Sequence, residues 1–370
     1  KADKFGITVN EPTINLSKVI DRKNEIVSKL IKGLDFLIQK NGIEIIHGEG
    51  IYKEPGFVKV GNRDFRSKAI IVATGSSPIS LPGLTFDGQK FLSSDHILEC
   101  REIPAKLDIV GGGVIGIHFA HIFSTLGTEV TVYEALPDIL TGIDEEAVAL
   151  VKRILKRKNI NILTGTKFEA ANSGGKTLIC IGRRSNSPCF TVNEKMETSL
   201  PGVYAVGDVV SKKQLAHVAY EQGEIAAENA LGGNRTFSYE NIPIGIYTDP
   251  EIGSVGLTEQ EARLRSSSFG GQAKDIKIGK FPFAALGISA AVGEQEGFVK
   301  IISDEKDNLL GVHIIGPEAT TLIGIATLAL RNKLKVGQLA NCFQSHPSFP
   351  EAIQEAALGA LKRGLHSIVS

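Results

Sequence analysis

The sequence predicts an α/β protein: doubly wound parallel sheets followed by a separate α+β domain. Three observations carry this. Apolar strands alternate with amphipathic helices through the middle of the chain, a glycine-rich turn joins one such strand to its helix, and the last third runs strands first and helices afterwards. The chain has 370 residues, enough for two or three domains. Hydrophobic residues make up 42% and charged residues 22%, which marks a folded rather than a disordered chain. Lys plus Arg and Asp plus Glu are 41 each, so the electrostatic case for nucleic acid or an acidic membrane as partner falls away. No apolar run reaches about 18 residues, so no membrane span is expected. Four cysteines are too few for a disulfide-built secreted domain. The opening KADKFGI reads as the middle of a helix-to-strand passage, and a preceding segment is expected.

The elements follow in order. From Ser17 to Asn41 the apolar residues (Val19, Ile20, Ile26, Val27, Leu30, Ile31, Leu34, Leu37, Ile38) fall at helical spacing, predicting a helix with one buried stripe, closed by Gly42. Ile43–His47, Phe57–Val60 and Ala69–Ala73 read as strands. The last is wholly apolar, as in a sheet covered on both faces. Leu107–Val110, Glu129–Tyr133 and Ile160–Leu163 alternate with helical segments Val114–Leu126 and Glu145–Lys156, a β-α-β-α-β series with short links. Thr177–Ile181 and Val203–Val206 read as further strands, and Ala216–Leu231 as a helix. In the final third, Ile244–Tyr247, Val255–Leu257, Asp275–Lys280, Phe298–Ser303 and Leu309–Gly316 read as strands, and Glu318–Asn332 and Pro350–Leu361 as helices.

Gly111, Gly113 and Gly116 form G-x-G-x-x-G. In a chain with 40 glycines that spacing is weak alone, but here a strand enters it, a helix leaves it, and Glu134 ends the next strand. Gly111 permits the sharp turn, Gly113 leaves room for a pyrophosphate, and Gly116 lets helix and strand approach. Free N–H groups at the helix start attract phosphate. Glu134 can accept hydrogen bonds from an adenosine ribose, and no Arg or Lys follows it in Ala135–Leu140 to neutralise a 2′-phosphate. NAD is therefore favoured over NADP, the alternative being a glycine-rich turn without a ligand.

Two further features stand apart. Ala69–Gly75 and Gly202–Asp208 are each an apolar strand ending in a tight turn, the kind of place that faces a ligand crevice. Asp208 either bonds a sugar-like hydroxyl or caps the next helix. His346 precedes Pro347, which keeps it out of helical geometry, and Glu351 lies in the first turn of the last helix. A carboxylate that reaches an imidazole fixes its tautomer and raises its basicity. The alternative is a surface loop beside a helix-start glutamate favoured by the dipole.

Taken together, these stretches resemble the pyridine nucleotide-disulfide oxidoreductase family, most closely its dihydrolipoamide-oxidising members. IIVATGSSP, IVGGGVIG, VTVYE, IGRRSN, METSLPGVYAVGDV, LAHVAYEQG, DPEIGSVGLTEQEA, EGFVKII, GVHIIGPEA and HPSFPEAIQEAAL occur in the family's order across most of the chain. The resemblance implies the N-terminal part of an FAD-binding domain (1–100), an inserted NAD-binding domain (101–190), a return to the FAD domain (191–240), and an interface domain (241–370) that forms a homodimer. It implies FAD contacts at Gly50, Thr74, Gly75, Ser76, Asp208, Leu215, Ala216 and His217. It implies an NAD site at Gly111, Gly113, Gly116, Glu134 and Gly182, and an acid–base pair, His346 and Glu351, that serves the neighbouring subunit's active site. No metal is expected. Electrons would pass from dihydrolipoamide through a cysteine pair and FAD to NAD⁺, in a cytoplasmic or organelle-matrix 2-oxoacid dehydrogenase or glycine-cleavage assembly. The alternatives are a related reductase, a soluble transhydrogenase, or a catalytically silent dimer that binds NAD.

The family's first G-x-G-x-x-G and its C-x-x-x-x-C pair are not among these residues. The cysteines are Cys100, Cys180, Cys189 and Cys342, no two of them five apart, and they read as unpaired thiols. The stretches Leu163–Thr177 and Asn186–Phe190 are short for the family, the first too short for a three-stranded meander. His118 stands where the family usually has a glutamate that helps place the nicotinamide. The expectation is a part of a longer enzyme, the alternative a truncated product.

Overall fold

The computed structural model describes residues 2–8, 13–187, 190–268 and 276–366; Cys189 lies outside them. Helix α1 (Leu16–Lys40) begins at Asn15, whose side chain accepts from Lys18 N–H, and ends at Asn41 before Gly42. Its stripe is not buried as its spacing predicts. Leu16 and Ile20 are covered, whereas Leu30, Ile31, Leu34 and Leu37 face outward, because no layer packs on that side among the described residues. Ile43–His47 is not a strand: it has no ladder partner, and Ile43 and Ile45 are exposed. A meander the sequence reading largely missed follows, β1 (Gly50–Glu54), β2 (Phe57–Val60) and β3 (Arg63–Arg66), all antiparallel.

Next come β4 (Ile70–Val72), β5 (Ser76–Pro78), β6 (Phe91–Leu92) and α2 (Ser94–Ile97). The parallel unit is built from β7 (Lys106–Val110), α3 (Val114–Thr125), β8 (Glu129–Tyr133), α4 (Glu145–Arg157), β9 (Asn161–Leu163) and β10 (Lys176–Ile179). Its sheet order is β6-β10-β7-β8-β9, every neighbour parallel. Leu107, Ile109, Val130, Val132 and Leu178 are buried in it, with α3 and α4 supplying Ile117, Ala120, Val151 and Leu155 to the same core. Residues 164–175 hold a single short 3₁₀ turn, Ala170–Asn172.

The chain then returns through β11 (Arg183–Ser185), which pairs antiparallel with β5, and β12 (Val203–Ala205), which pairs parallel with β4. Helix α5 (Ala216–Ala230) follows. Strand β4 is apolar, as read, but among the described residues β12 is its only neighbour, and Ile71 is 39% exposed.

The last unit contains β13 (Ile244–Ile246), β14 (Glu251–Gly256), α6 (Glu259–Ser268), β15 (Ile276–Pro282), α7 (Gly287–Val292), β16 (Phe298–Asp304), β17 (Leu309–Gly316), α8 (Ala319–Arg331), α9 (Val336–Ala340) and α10 (Glu351–Ala360). Its strands form an antiparallel sheet, β13-β14-β17-β16-β15, covered by α8 and α10. Helix α10 lies so close to β15 that a Cβ on Gly279 would meet Ala356 O at 1.9 Å. The two units are joined by a buried ionic node. Lys300 Nζ of β16 lies 3.0 Å from Asp144, the N-cap of α4, 2.9 Å from Glu146 and 2.6 Å from Glu259, and Lys300 and Asp144 are wholly buried.

Candidate functional site

The turn between β7 and α3 opens on a cleft of about 990 Å³, lined by Gly111, Gly113, His118, Glu134, Leu136, Cys180, Gly182, Arg183, Leu215 and Gly245 among others. Gly116 is needed for packing: its Cβ would sit 2.0 Å from Gly111 O. Gly113 is different. It is the N-cap of α3, makes no side-chain cap bond, and a Cβ there would meet nothing within 4 Å. The first N–H groups of α3 therefore face open space, the arrangement that binds phosphate. Glu134 is held rigidly at the other wall, its two oxygens accepting Gly112 N–H and Leu136 N–H, each at 2.7 Å. A carboxylate oxygen has a second lone pair, so both remain able to accept from a ribose. The uncapped helix start, the open glycine and the fixed carboxylate fit the pyrophosphate and adenosine ribose of NAD.

His118 lies on α3 farther along the cleft. Tyr247 N–H donates to its Nε2 at 2.7 Å, so Nδ1 carries the proton, and burial lowers the ring's affinity for a second one. Cys180 lines the same wall, and burial pushes its thiol up to about 12, leaving it inert at neutral pH.

A second constellation joins the ends of β4 and β12. Ser76 Oγ donates to Asp208 Oδ2 at 2.6 Å, and Arg183 Nε donates to Ser76 Oγ at 2.8 Å. Asp208 does not cap α5, whose N-cap is Leu215 and carries no side-chain cap bond. Gly75 adopts φ +71° with open space before it, and His217 Nε2–H donates to Pro243 O at 3.0 Å, setting the start of α5 against the last unit. An acceptor carboxylate after β12 and an uncapped helix start at Ala216 are groups that suit the hydroxyls and phosphates of FAD. Gly50 opens β1, paired with Val60.

The third constellation sits before α10. His346 Nδ1–H donates to Glu351 at 2.8 Å, and Ser348 N–H donates to the other oxygen at 2.5 Å. Burial raises the Glu351 carboxyl, but the bonds from His346 and Ser348 outweigh it and hold the group below its ordinary range. The imidazole is 80% exposed.

The cleft beside the glycine turn, the Ser76–Asp208 cluster and the carboxylate-bonded histidine together fit a flavin- and nicotinamide-dependent oxidoreductase. Comparison with known proteins agrees. The pyridine nucleotide-disulphide oxidoreductase family matches residues 6–223, and that family's dimerisation domain matches residues 242–357. The chain belongs to this family, whose members use FAD and NAD and pair through the second domain. It is similar to the dihydrolipoyl dehydrogenases of Thermus scotoductus (36% identical, 99% of this chain, 85% of that protein) and Chlamydia pneumoniae (38%, 99% and 85%). A Bacillus subtilis dihydrolipoyl dehydrogenase is 36% identical over 99% of this chain and 86% of its own. In fold it is similar to LpdA from Mycobacterium tuberculosis (TM-score 0.85, 23% identical, 96% of this chain and 85% of that one). The HOCl-induced flavoprotein disulfide reductase RclA of Escherichia coli gives TM-score 0.82 at 24% identity, over 92% of this chain and 85% of its own. The chain is thus an NAD-dependent oxidoreductase of the flavoprotein type. Among the described residues no helix is long and apolar enough to cross a membrane.

Sequence reasoning missed Arg183 and Tyr247. Arg183 carried a signal, an arginine directly after the Gly182 turn. Tyr247 carried none, because it acts through its backbone N–H.

Proposed function

We propose that this chain oxidises dihydrolipoamide with NAD⁺ as the flavoprotein of a 2-oxoacid dehydrogenase or glycine-cleavage assembly. The kinship with dihydrolipoyl dehydrogenases supports this reading, and the His346–Glu351 pair is the observation that carries it. The balance is dihydrolipoamide plus NAD⁺ to lipoamide, NADH and one proton. Two S–H bonds break, one S–S bond forms, and two electrons leave with one proton as hydride. His346 takes the other proton: Glu351 accepts Nδ1–H, so the outward Nε2 is the base, and it serves the partner subunit's site. FAD, when bound, accepts the electron pair from the sulfur chemistry and makes it available to the nicotinamide. Asp208 would orient its hydroxyls, the turn Thr74, Gly75 and Ser76 and the helix start at Leu215, Ala216 and His217 would flank it, and Gly50 would contact it from the meander. Gly111, Gly113, Gly116, Glu134 and Gly182 would hold NAD.

The test is NADH formation from dihydrolipoamide by the full-length, flavin-loaded protein. His346→Gln and Glu351→Gln should each lower turnover by roughly 10²–10⁴-fold with an unaltered flavin spectrum. Wild-type protein that ignores dihydrolipoamide but oxidises NADPH or reduces glutathione disulfide would replace this reading with a sister activity.

A further inference from the structure

Helix α10 carries two carboxylates one turn apart, and each is bonded to an imidazole. Glu351 accepts His346 Nδ1–H at 2.8 Å, and Glu355 accepts His366 Nδ1–H at 2.8 Å. The second oxygen of each takes a backbone N–H, from Ser348 at 2.5 Å and from His366 itself at 3.3 Å. The Glu351 and Glu355 side chains are largely buried, 21% and 9% exposed, while the His346 and His366 rings are 80% and 71% exposed. The two pairs therefore share one arrangement: a sheltered carboxylate fixes the tautomer and leaves Nε2 outward. His366 reaches this place because the chain turns after α10 at Lys362, φ +56°, and comes back beside Glu355.

Helix positions four apart hold their Cβ atoms about 5–6 Å from each other, so charge on one pair is felt at the other. Burial raises the Glu351 carboxyl, and His366 is among the charges that, with the His346 bond, more than reverse this. Charges on the elements packed against α10 are engaged elsewhere. On β15, Lys277 pairs with Asp307 and Lys280 with Glu146; on β16, Lys300 sits in the buried node and Asp304 accepts from Asn308. Helix α9 carries no charged residue, and Lys362 and Arg363 lie in the turn beyond α10.

We propose that His366, clasped by Glu355, is a positioning residue that sets the pH at which the His346–Glu351 pair exchanges its proton. The inference rests on the acid–base reading of His346 given above. No covalent step is assigned to His366; it acts through charge and through the placement of the tail.

The experiment is an NMR titration of the His346 ring in the full-length, flavin-loaded protein with labelled imidazoles, alongside the pH profile of turnover. His366→Asn keeps an N–H donor at the Nδ1 position, so the tail stays in place while the titrating ring is gone. Loss of that cation and the unbalanced Glu355 charge both favour the proton on His346. Its midpoint should rise by about 0.3–1 pH unit, carrying the acid limb of turnover with it. The double variant Glu355→Gln with His366→Asn removes both charges and should bring the midpoint back to within about 0.2 unit of wild type. An unmoved midpoint in His366→Asn, or a change in thermal stability alone, overturns the proposal and makes the pair a tail clip. Failure of the underlying reading looks different: His346→Gln would then keep wild-type turnover and its pH profile.

Discussion

The five-stranded parallel unit and the β4–β12 pair were both read from apolar strands ending in glycine turns, yet they finish differently. Ile109 of β7 is fully buried, with strands on both sides of β7 and α3 and α4 contributing to the same core. Ile71 at the centre of β4 is 39% exposed beside a single neighbouring strand, and α1 leaves most of its stripe outward. The difference teaches that an apolar pattern states what a segment needs covered, not whether the cover is present. The closed unit is also tied by Lys300 to the antiparallel one, while the turn after β4 is held by hydrogen bonds such as Ser76 to Asp208.

The largest effect is expected at the node that locks the closed unit. Lys300→Met strands Asp144, buried, without its cation and should cost about 3–5 kcal/mol in urea unfolding. A cost below about 1 kcal/mol would mean that the node does not join the two units in solution.

The sharpest test of the contrast is a pair of truncations in these 370 residues. Ile109→Ala should cost about 2–5 kcal/mol, whereas Ile71→Ala should fall near 0.5 kcal/mol. Equal costs would show that something covers the open face of β4.

Within the closed unit, two glycines separate folding from binding. Gly116→Ala puts a methyl against Gly111 O and should lower Tm together with NADH affinity. Gly113→Ala should leave Tm unchanged, since its Cβ meets nothing, and weaken NADH binding by roughly tenfold where the pyrophosphate must approach. Unchanged NADH affinity in Gly113→Ala, measured by fluorescence titration, would move the phosphates elsewhere.

The smallest effect is the pH dependence of the node. Burial raises Asp144 and Glu259, but His313 and Lys300 beside Asp144, and Lys300 and Arg263 beside Glu259, hold them below their ordinary 3.8 and 4.5. A depressed carboxylate contributes stability that is present above its ordinary value and lost as pH falls through the depressed one. Urea midpoints should therefore drop as pH falls below about 4.5 and on through the depressed values, and drop less in Lys300→Met. Equal slopes in the two proteins would remove the node as the source.

Much of the site was legible because its signals are local. The spacing Gly111, Gly113, Gly116, the strand-end Glu134, and His346 five residues before Glu351 each belong to one turn or one β-α-β step, and the structure brings each group together. What was not legible involves partners far apart in the chain. Ser76 meets Asp208, Arg183 reaches back to Ser76, and Tyr247 N–H finds His118, and no window of sequence contains both members. The misread strand at Ile43–His47 failed for the same reason, since a strand exists only with a ladder partner.

By itself, then, the sequence determined the periods, the turns and the caps, and with them the family, because these are short-range consequences of backbone sterics and side-chain spacing. Only the tertiary structure decided which apolar faces are covered, that Lys300 would lie among three carboxylates, and that His366 would stand one helical turn from the His346 pair. Those outcomes depend on how distant segments close on one another, and burial and Coulomb energy take their values only once that closure is made.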